Sequence, residues 1–423
     1  MNSWKLALIV LIFIILLNIP FHPITISIEN VKDKEWHGYV LVWMGLEVVG
    51  ENVQESLNQL LSHKNSISAV SYEAYYLGAN GTFSKRVRVT DVTDYLRQIE
   101  VELWPMITST NITNMRILFN NPNSFITTAV NTAVERNFTG YNVDFEPRDA
   151  TDNDAYNYVN FLNKFADALH AVNKKLSVDI ATWSAFWNYD LLAQSKVDML
   201  CEMTTYAGRF ETFYSALNYA LSKIPQNKLV IGLETLNPNT GETIPFSENE
   251  IEVRLKSIIK SNLNKIAIWR TPLPEYWWPL LNDIRNGFNI TLKTNNPYPA
   301  LNSNTTVTAI ISNGIPPFTY SWKVDNIAMN CSESTCTIII NTTNPYTITL
   351  TVTDSLYISI TKTLTINPIT LSVTTQQSTS STLPLQPTSP ATEINYQFII
   401  VPLGIIILVI LIIKYKKIKQ SKP

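Results

Sequence analysis

Two rhythms of apolar residues divide the chain. Between about Trp36 and Phe288, short β-rich apolar runs alternate with stretches in which apolar residues return every three or four positions, the pattern of βα units around a parallel sheet. The runs at 39–43, 67–72, 100–107, 116–119, 141–145, 176–182, 197–204, 229–233 and 266–269 are the predicted strands. The clearest helix follows the fifth of these. Thr151 and Asp154 form a capping-box pair, and Tyr156, Val159, Leu162, Ala166 and Leu169 recur at helical spacing behind them. A segment of about 250 residues built this way suits one (β/α)8 TIM barrel, placed at 36–290, with its active site at the C-terminal ends of the strands.

After Asn295 the helical period disappears, and short Thr/Ile/Val runs are punctuated by turn signals such as NGIPPF and NPYT. The runs at 305–311, 319–324, 337–341, 346–353 and 358–366 predict a small all-β sandwich at 300–368. The Ser/Thr/Pro-rich stretch at 369–394 is too poor in apolar residues to build a core and reads as an extended stalk. A further apolar run, at 396–413, is followed by Lys414, Lys416, Lys417, Lys419 and Lys422. It predicts a transmembrane helix with the basic tail 414–423 in the cytoplasm and the preceding domains outside. At the amino end, the apolar run 6–17 behind Lys5 predicts a signal peptide at 1–28. An uncleaved anchor remains open, since no small-x-small cleavage site follows. The expected class is therefore α/β, a (β/α)8 barrel followed by a small β-sandwich and a C-terminal transmembrane helix, on a single-pass protein of the cell membrane.

Composition removes several classes of function. The 423 residues carry a net charge of only −2, and no basic stripe lies outside the last ten residues, so nucleic acid is not an expected partner. His22, His37, His63 and His170 are scattered with no ligand spacing, and neither a metal nor an organic cofactor is expected. Cys331 and Cys336 can close one loop in an oxidising compartment, whereas Cys201 sits in an apolar run as a core thiol. Asn80, Asn111, Asn137, Asn289, Asn304, Asn330 and Asn341 each open an Asn-x-Ser/Thr triplet, which on an exported chain suggests a glycosylated surface.

The chemistry concentrates in GYNVDFEP, residues 140–147. Strand side chains alternate, so Asn142, Asp144 and Glu146 share one face while Tyr141, Val143 and Phe145 take the other. Burying two neighbouring carboxyls is costly unless they are partnered or used. That favours a cleft where they move protons or stabilise charge. A strand-end salt-bridge network is the bland alternative.

TGYNVDFEP, residues 139–147, resembles the DG-x-D-x-D-x-E signature of family 18 glycoside hydrolases, which comprise chitinases, chitobiases and endo-β-N-acetylglucosaminidases. VSYEAYYLGANGTF at 70–83, LWPMI at 103–107, LSVDIATWS at 176–184 and IAIW at 266–269 resemble further strand regions of that family. Its di-N-acetylchitobiase branch also has Asn at the position of Asn142. The likeness covers the barrel and none of the C-terminal third, where GIPPFTYSWKVDN and YTITLTVTDS resemble polycystic-kidney-disease or immunoglobulin-like repeats, commonly stalks and less often carbohydrate binders.

The family resemblance implies a substrate-assisted retaining mechanism. Glu146 would be general acid and then base, its pKa raised by a neighbouring carboxylate. Asp144 would orient the substrate's 2-acetamido group and stabilise the oxazolinium, with Asn142 holding Asp144 by a hydrogen bond. Trp269 would floor the cleaved sugar's subsite, an ordinary core role being its alternative; Trp183, Trp104 and Trp43 are lesser candidates, and Trp277 and Trp278 would pack the outer helix or rim. Two departures stand out. Thr139 replaces the first motif Asp and removes one carboxylate from the relay. EMTTYAG, at 202–208, lacks the family's Met-x-Tyr-Asp carboxylate, and either Thr205 or Tyr206 takes the Tyr position. Tyr206 is carried over as a substrate-binding residue, with Glu234 as a substitute carboxylate in the cleft or else a solvated loop residue. Asp179 would be a structural hydrogen-bonding group. The implied ligand is a glycan containing β-linked N-acetylglucosamine, such as a chitin oligomer, a peptidoglycan-like polymer or an N-glycan core. A sugar-binding barrel without activity and an inert envelope component are the rival readings.

Overall fold

The computed structural model describes residues 33–46, 53–86, 91–240 and 244–370. Within them the first sheet comprises β1 (Tyr39–Met44), β2 (Ala69–Leu77), a short β3 (Phe83–Lys85), β4 (Glu102–Ser109), β5 (Gly140–Phe145), β6 (Lys175–Ile180), β7 (Met199–Glu202), β8 (Leu229–Glu234) and β9 (Lys265–Trp269). All but β3 are parallel, and pairing of β1 with both β9 and β2 closes them into an eight-stranded barrel. β3 runs antiparallel along the end of β2.

Alternation dictates which residues fill the barrel. Leu41, Trp43, Trp104, Met106, Met199, Cys201, Val230 and Ala267 form an apolar plug inside it, beneath which Tyr39 OH (2.7 Å) and Trp104 Nε1 (3.1 Å) donate to the Glu102 carboxylate. The opposite faces of the strands pack under the helices. On β5, Tyr141 donates to the Ala129 carbonyl at 2.8 Å, and Phe145 stacks on Tyr158 at 5.8 Å between ring centres. Gly140 is required by close approach: a Cβ there would lie 2.1 Å from the Lys175 carbonyl oxygen of the neighbouring strand.

Helix Asp152–His170 begins with the expected capping box, in which Asp154 Oδ2 accepts the Thr151 N–H at 2.8 Å and Thr151 Oγ1 accepts the Asp154 N–H at 3.3 Å. The predicted strand at 116–119 is instead part of helix Ile112–Asn120, capped by Asn111, whose side chain accepts the Asn114 N–H at 3.1 Å. Met115 and Leu118 are its buried pair, a three-residue spacing hidden inside a short apolar window.

The described residues after the barrel form two antiparallel sheets. β10 (Asn289–Thr294), β11 (Asn304–Ser312) and β14 (Thr335–Ile339) form one, in that order. β13 (Ile327–Ala328), β12 (Thr319–Val324), β15 (Tyr346–Thr353) and β16 (Ser359–Ile366) form the other. β10 was not among the predicted strands, because its alternating sequence NITLKT continues directly from the last barrel helix, Trp277–Asn286. Trp277 and Trp278 are buried in that helix, as expected. Cys331 and Cys336 form a disulfide, and Cys201 is a buried free thiol.

The predicted signal peptide at 1–28, the stalk from 371 onward, the span 396–413 and the tail 414–423 lie outside the described residues. Among the described residues no helix is long and apolar enough to cross a membrane.

Where the barrel meets the sheets, Asp283 and Asp354 are 2% and 4% exposed and face each other. Asp354 Oδ1 accepts the N–H groups of Leu356 (2.9 Å) and Ile358 (3.0 Å). Burial, then the adjoining Asp354 carboxyl, pushes Asp283 up to about 9; burial also raises Asp354. A carboxyl whose pKa is raised in the folded state holds its proton more tightly there than in the unfolded chain. Stability therefore falls as pH climbs from the ordinary carboxylate range to about 9, and levels off above it. Asp283→Asn keeps a donor toward Asp354 without the titration. Urea unfolding should show the variant more stable than wild type at pH 9 and close to it at pH 4; parallel pH profiles would contradict this account of the interface.

Candidate active site

At the C-terminal mouth of the barrel lies a cleft of about 480 Å3, lined by Glu73, Arg86, Thr108, Asp144, Glu146 and Trp269 among others. These come from the ends of β2, β4, β5 and β9 and from the residue after β3. Asp144 and Glu146 thus open into one trough, both half-buried, and the Glu146 backbone N–H donates to the Ser109 carbonyl at 2.8 Å, fixing the strand exit.

Asn142, one step deeper on the same face, is sealed at 0% exposure. Its carbonyl oxygen accepts from Trp43 Nε1 (2.9 Å) and Ser71 Oγ (3.0 Å), and its amide donates to Ser177 Oγ (3.3 Å) and Asp179 Oδ1 (2.9 Å). All four hydrogen-bonding directions of the amide are in use. The expected contacts of Asn142 with substrate and with Asp144 are therefore corrected: its partner is Asp179, and it stands behind the cleft, because the barrel interior at that depth is filled.

Above it, register sets the neighbours. Thr108 pairs with Asp144 across β4 and β5, and Val143 pairs with Val178 across β5 and β6, which carries Asp144 alongside Asp179. Asp179 is 2% exposed. Loss of hydration, then the Asp179 and Glu146 carboxyls and, more weakly, Glu73, push Asp144 well above the usual carboxylate range. Burial, opposed by the Asn142 hydrogen bond, pushes Asp179 up to about 8. On the other flank Arg86, missed in the sequence, donates to Thr108 Oγ1, lies 5.9 Å from the Tyr76 ring centre and places positive charge near Asp144.

Trp269 lines the cleft and meets Trp43 edge-on, with ring centres 6.2 Å apart. Trp43 and Trp104, each 1% exposed, are interior packing and not sugar platforms; Trp183 is 58% exposed. Of the two registers for the Met-x-Tyr motif, Thr205 is buried and donates to the carbonyls of Glu202 (2.8 Å) and Gly232 (2.7 Å). Tyr206 is half-buried, and burial together with Asp179, Cys201, Asp144 and Glu234 raises its pKa well above 10. Its ring covers Gly232, where a Cβ would lie 2.7 Å from Tyr206 Cε1. Glu234 ends β8 opposite Trp269 and acts electrostatically on Tyr206.

Two further positions, one where the motif carries an acid and one acid outside it, lie away from the cleft. Thr139 accepts the Leu103 N–H at 3.2 Å at the start of β5, roughly 20 Å along the chain from Glu146 at strand rise, so replacing a carboxylate there leaves the mouth of the barrel untouched. Glu202, 0% exposed, accepts from Tyr189 OH and from the Thr204 N–H (2.8 Å), on the outward face of β7.

No family model and no curated protein matches the chain. Solved structures do. The spore cortex-lytic enzyme SleL of Bacillus megaterium superposes with a TM-score of 0.50 at 15% identity, over 60% of this chain and 75% of that one. SleL of Bacillus cereus gives 0.50 at 16%, over 59% and 74%. A chitinase from Chromobacterium violaceum gives 0.49 at 14%, over 58% and 98%, a score too low to add weight. At these identities what is shared is the fold, the closed parallel βα barrel.

Replacing Asn142 by Leu leaves the polar groups of Trp43, Ser71, Ser177 and Asp179 without their buried partner. Denaturant unfolding should show a loss of about 3 kcal/mol or more; a loss under about 1 kcal/mol would mean that these groups are not held by the amide.

Proposed function

We propose that the chain is a glycoside hydrolase of the chitinase-like class, cleaving β-linked N-acetylglucosamine glycans by a substrate-assisted retaining mechanism. One observation carries the reading: Asp144 and Glu146 open side by side into a cleft at the barrel mouth, bounded by the half-buried ring of Trp269. The fold shared with two spore cortex-lytic enzymes and the motif at 139–147 support it.

In this reading Glu146 protonates the leaving glycosidic oxygen while the substrate's acetamido oxygen attacks the anomeric carbon. Asp144 accepts a hydrogen bond from the acetamido N–H and offsets the positive charge of the oxazolinium. Trp269 stacks against the apolar face of the sugar, and Tyr206 steadies the acetamido group from the far side. The enzyme stands at the cell surface, held by the span at 396–413, with the β-sheets as a polycystic-kidney-disease-like spacer. All seven Asn-x-Ser/Thr asparagines are exposed, as glycan acceptors must be.

A sugar-binding protein without turnover is the second reading, favoured by Ala207 following Tyr206, where the family places a carboxylate. A chromogenic chitobioside separates the two. Wild type should hydrolyse it, Glu146→Gln should lose about 10²–10⁴-fold in kcat, and Asp144→Asn should also fall sharply. A glucoside lacking the acetamido group should react poorly with wild type. Equal turnover by wild type and Glu146→Gln would exclude acid catalysis by this residue, and binding without turnover would establish the second reading.

A further inference from the structure

Asp179 is a buried acid that the mechanism above leaves without work. It sits one strand over from Asp144, in the same inward row, at the sheet spacing of about 4.8 Å. Asn142 donates to its Oδ1 at 2.9 Å, which orients the carboxyl from below. Asp144 Oδ1, for its part, is buried with no hydrogen-bond partner.

We propose that Asp179 is a positioning residue that takes up the proton of Asp144 as the acetamido group attacks, so that the two carboxyls keep one proton between them throughout. The inference rests on the glycosidase reading of the cleft.

The surroundings set the balance. Glu146, just past β5, and Glu73 on β2 press Asp144 toward its neutral form, whereas Arg86 favours its ionised form. Cys201 on β7 adjoins Asp179, and Tyr206, with Glu234 acting on it, faces the pair with an un-ionised hydroxyl; Tyr158 of helix Asp152–His170 lies on the other side of the strand, against Phe145. Two carboxyls this close and this dry cannot both be charged, and burial pushes both upward.

In the resting pair Asp144 carries the proton and Asp179, stabilised by the Asn142 amide, is the carboxylate. As the O–H bond of Glu146 breaks, a new O–H bond forms on the leaving oxygen. The glycosidic C–O bond breaks and the acetamido oxygen bonds to the anomeric carbon. The O–H bond of Asp144 breaks while one forms on Asp179. Asp144 is then a carboxylate against the positive oxazolinium, and net charge is unchanged. When water opens the ring, Glu146 takes the water's proton and Asp179 returns its own.

The test uses the full chain carrying Asp283→Asn, which removes the Asp283 titration and leaves the same Asp354 background in every variant, with and without Asp179→Asn or Asp179→Glu. With the chromogenic chitobioside, Asp179→Asn should lower kcat about 10²-fold with little change in KM, and Asp179→Glu, which keeps a titratable group, should retain more activity than Asp179→Asn. Unfolding by urea should show stability falling as pH rises above the ordinary carboxylate range, because the buried pair holds its proton more tightly than the unfolded chain does, and a shallower fall in Asp179→Asn, where one of the two buried acids is gone. A wild-type kcat in Asp179→Asn, a folded Asp179→Glu no better than Asp179→Asn, or equal pH slopes would each overturn the proposal. A parent protein that turns over nothing would overturn the glycosidase reading and the transfer with it, whereas an active parent with an indifferent Asp179→Asn would overturn the transfer alone.

Discussion

Asn142 holds the centre of the barrel with an amide whose four hydrogen bonds tie β1, β2, β5 and β6 together. Everything polar above it depends on that knot. Carboxyls crowd the barrel mouth, and each would prefer water or a counter-charge; they are kept in place because the layer beneath them is neutral and its hydrogen bonds are satisfied. A carboxylate in place of Asn142 would add another buried acid beneath Asp144. The neutral amide instead passes its one strong donor to Asp179 and leaves Asp144 to be governed by its neighbours across the sheet.

Those neighbours differ on the two sides. Toward β4 stand Thr108 and the guanidinium of Arg86; toward β6 stands Asp179. Asp144 is therefore placed between a group that favours its charge and one that opposes it, a circumstance in which a small event in the cleft decides its protonation. Glu146, past the end of β5, lies in the open part of the same cleft. The separation of roles follows from depth: the deeper the group on this face, the less water reaches it.

Much of this was legible in the residues. Eight of the nine apolar runs predicted as barrel strands are strands, because runs of Val, Ile and Leu bounded by turns have few other ways to be buried. The alternation in GYNVDFEP rightly separates Asn142, Asp144 and Glu146 from Tyr141, Val143 and Phe145. Depth was not legible. Period two says which face a side chain takes, but not that the barrel interior is filled at Asn142 and open at Asp144. Nor does a single strand reveal its neighbour's register, so the proximity of Asp179 to Asp144 was invisible. Arg86 follows a strand of only three residues, too short to announce a position in a cleft. At 116–119 the window was simply too short to distinguish the two periods. Tyr206 could be aligned two ways until the turn Thr204–Tyr206 showed Thr205 bonded to backbone.

Whether the neighbouring carboxyls act through a participating substrate is decided most directly by stereochemistry. Proton NMR of a chitin oligosaccharide in the first minutes of hydrolysis, before mutarotation, reads the anomer released. Retention of the β configuration is the result this arrangement predicts. Release of the α anomer would mean that water attacks directly and that Asp144 is not orienting an acetamido nucleophile.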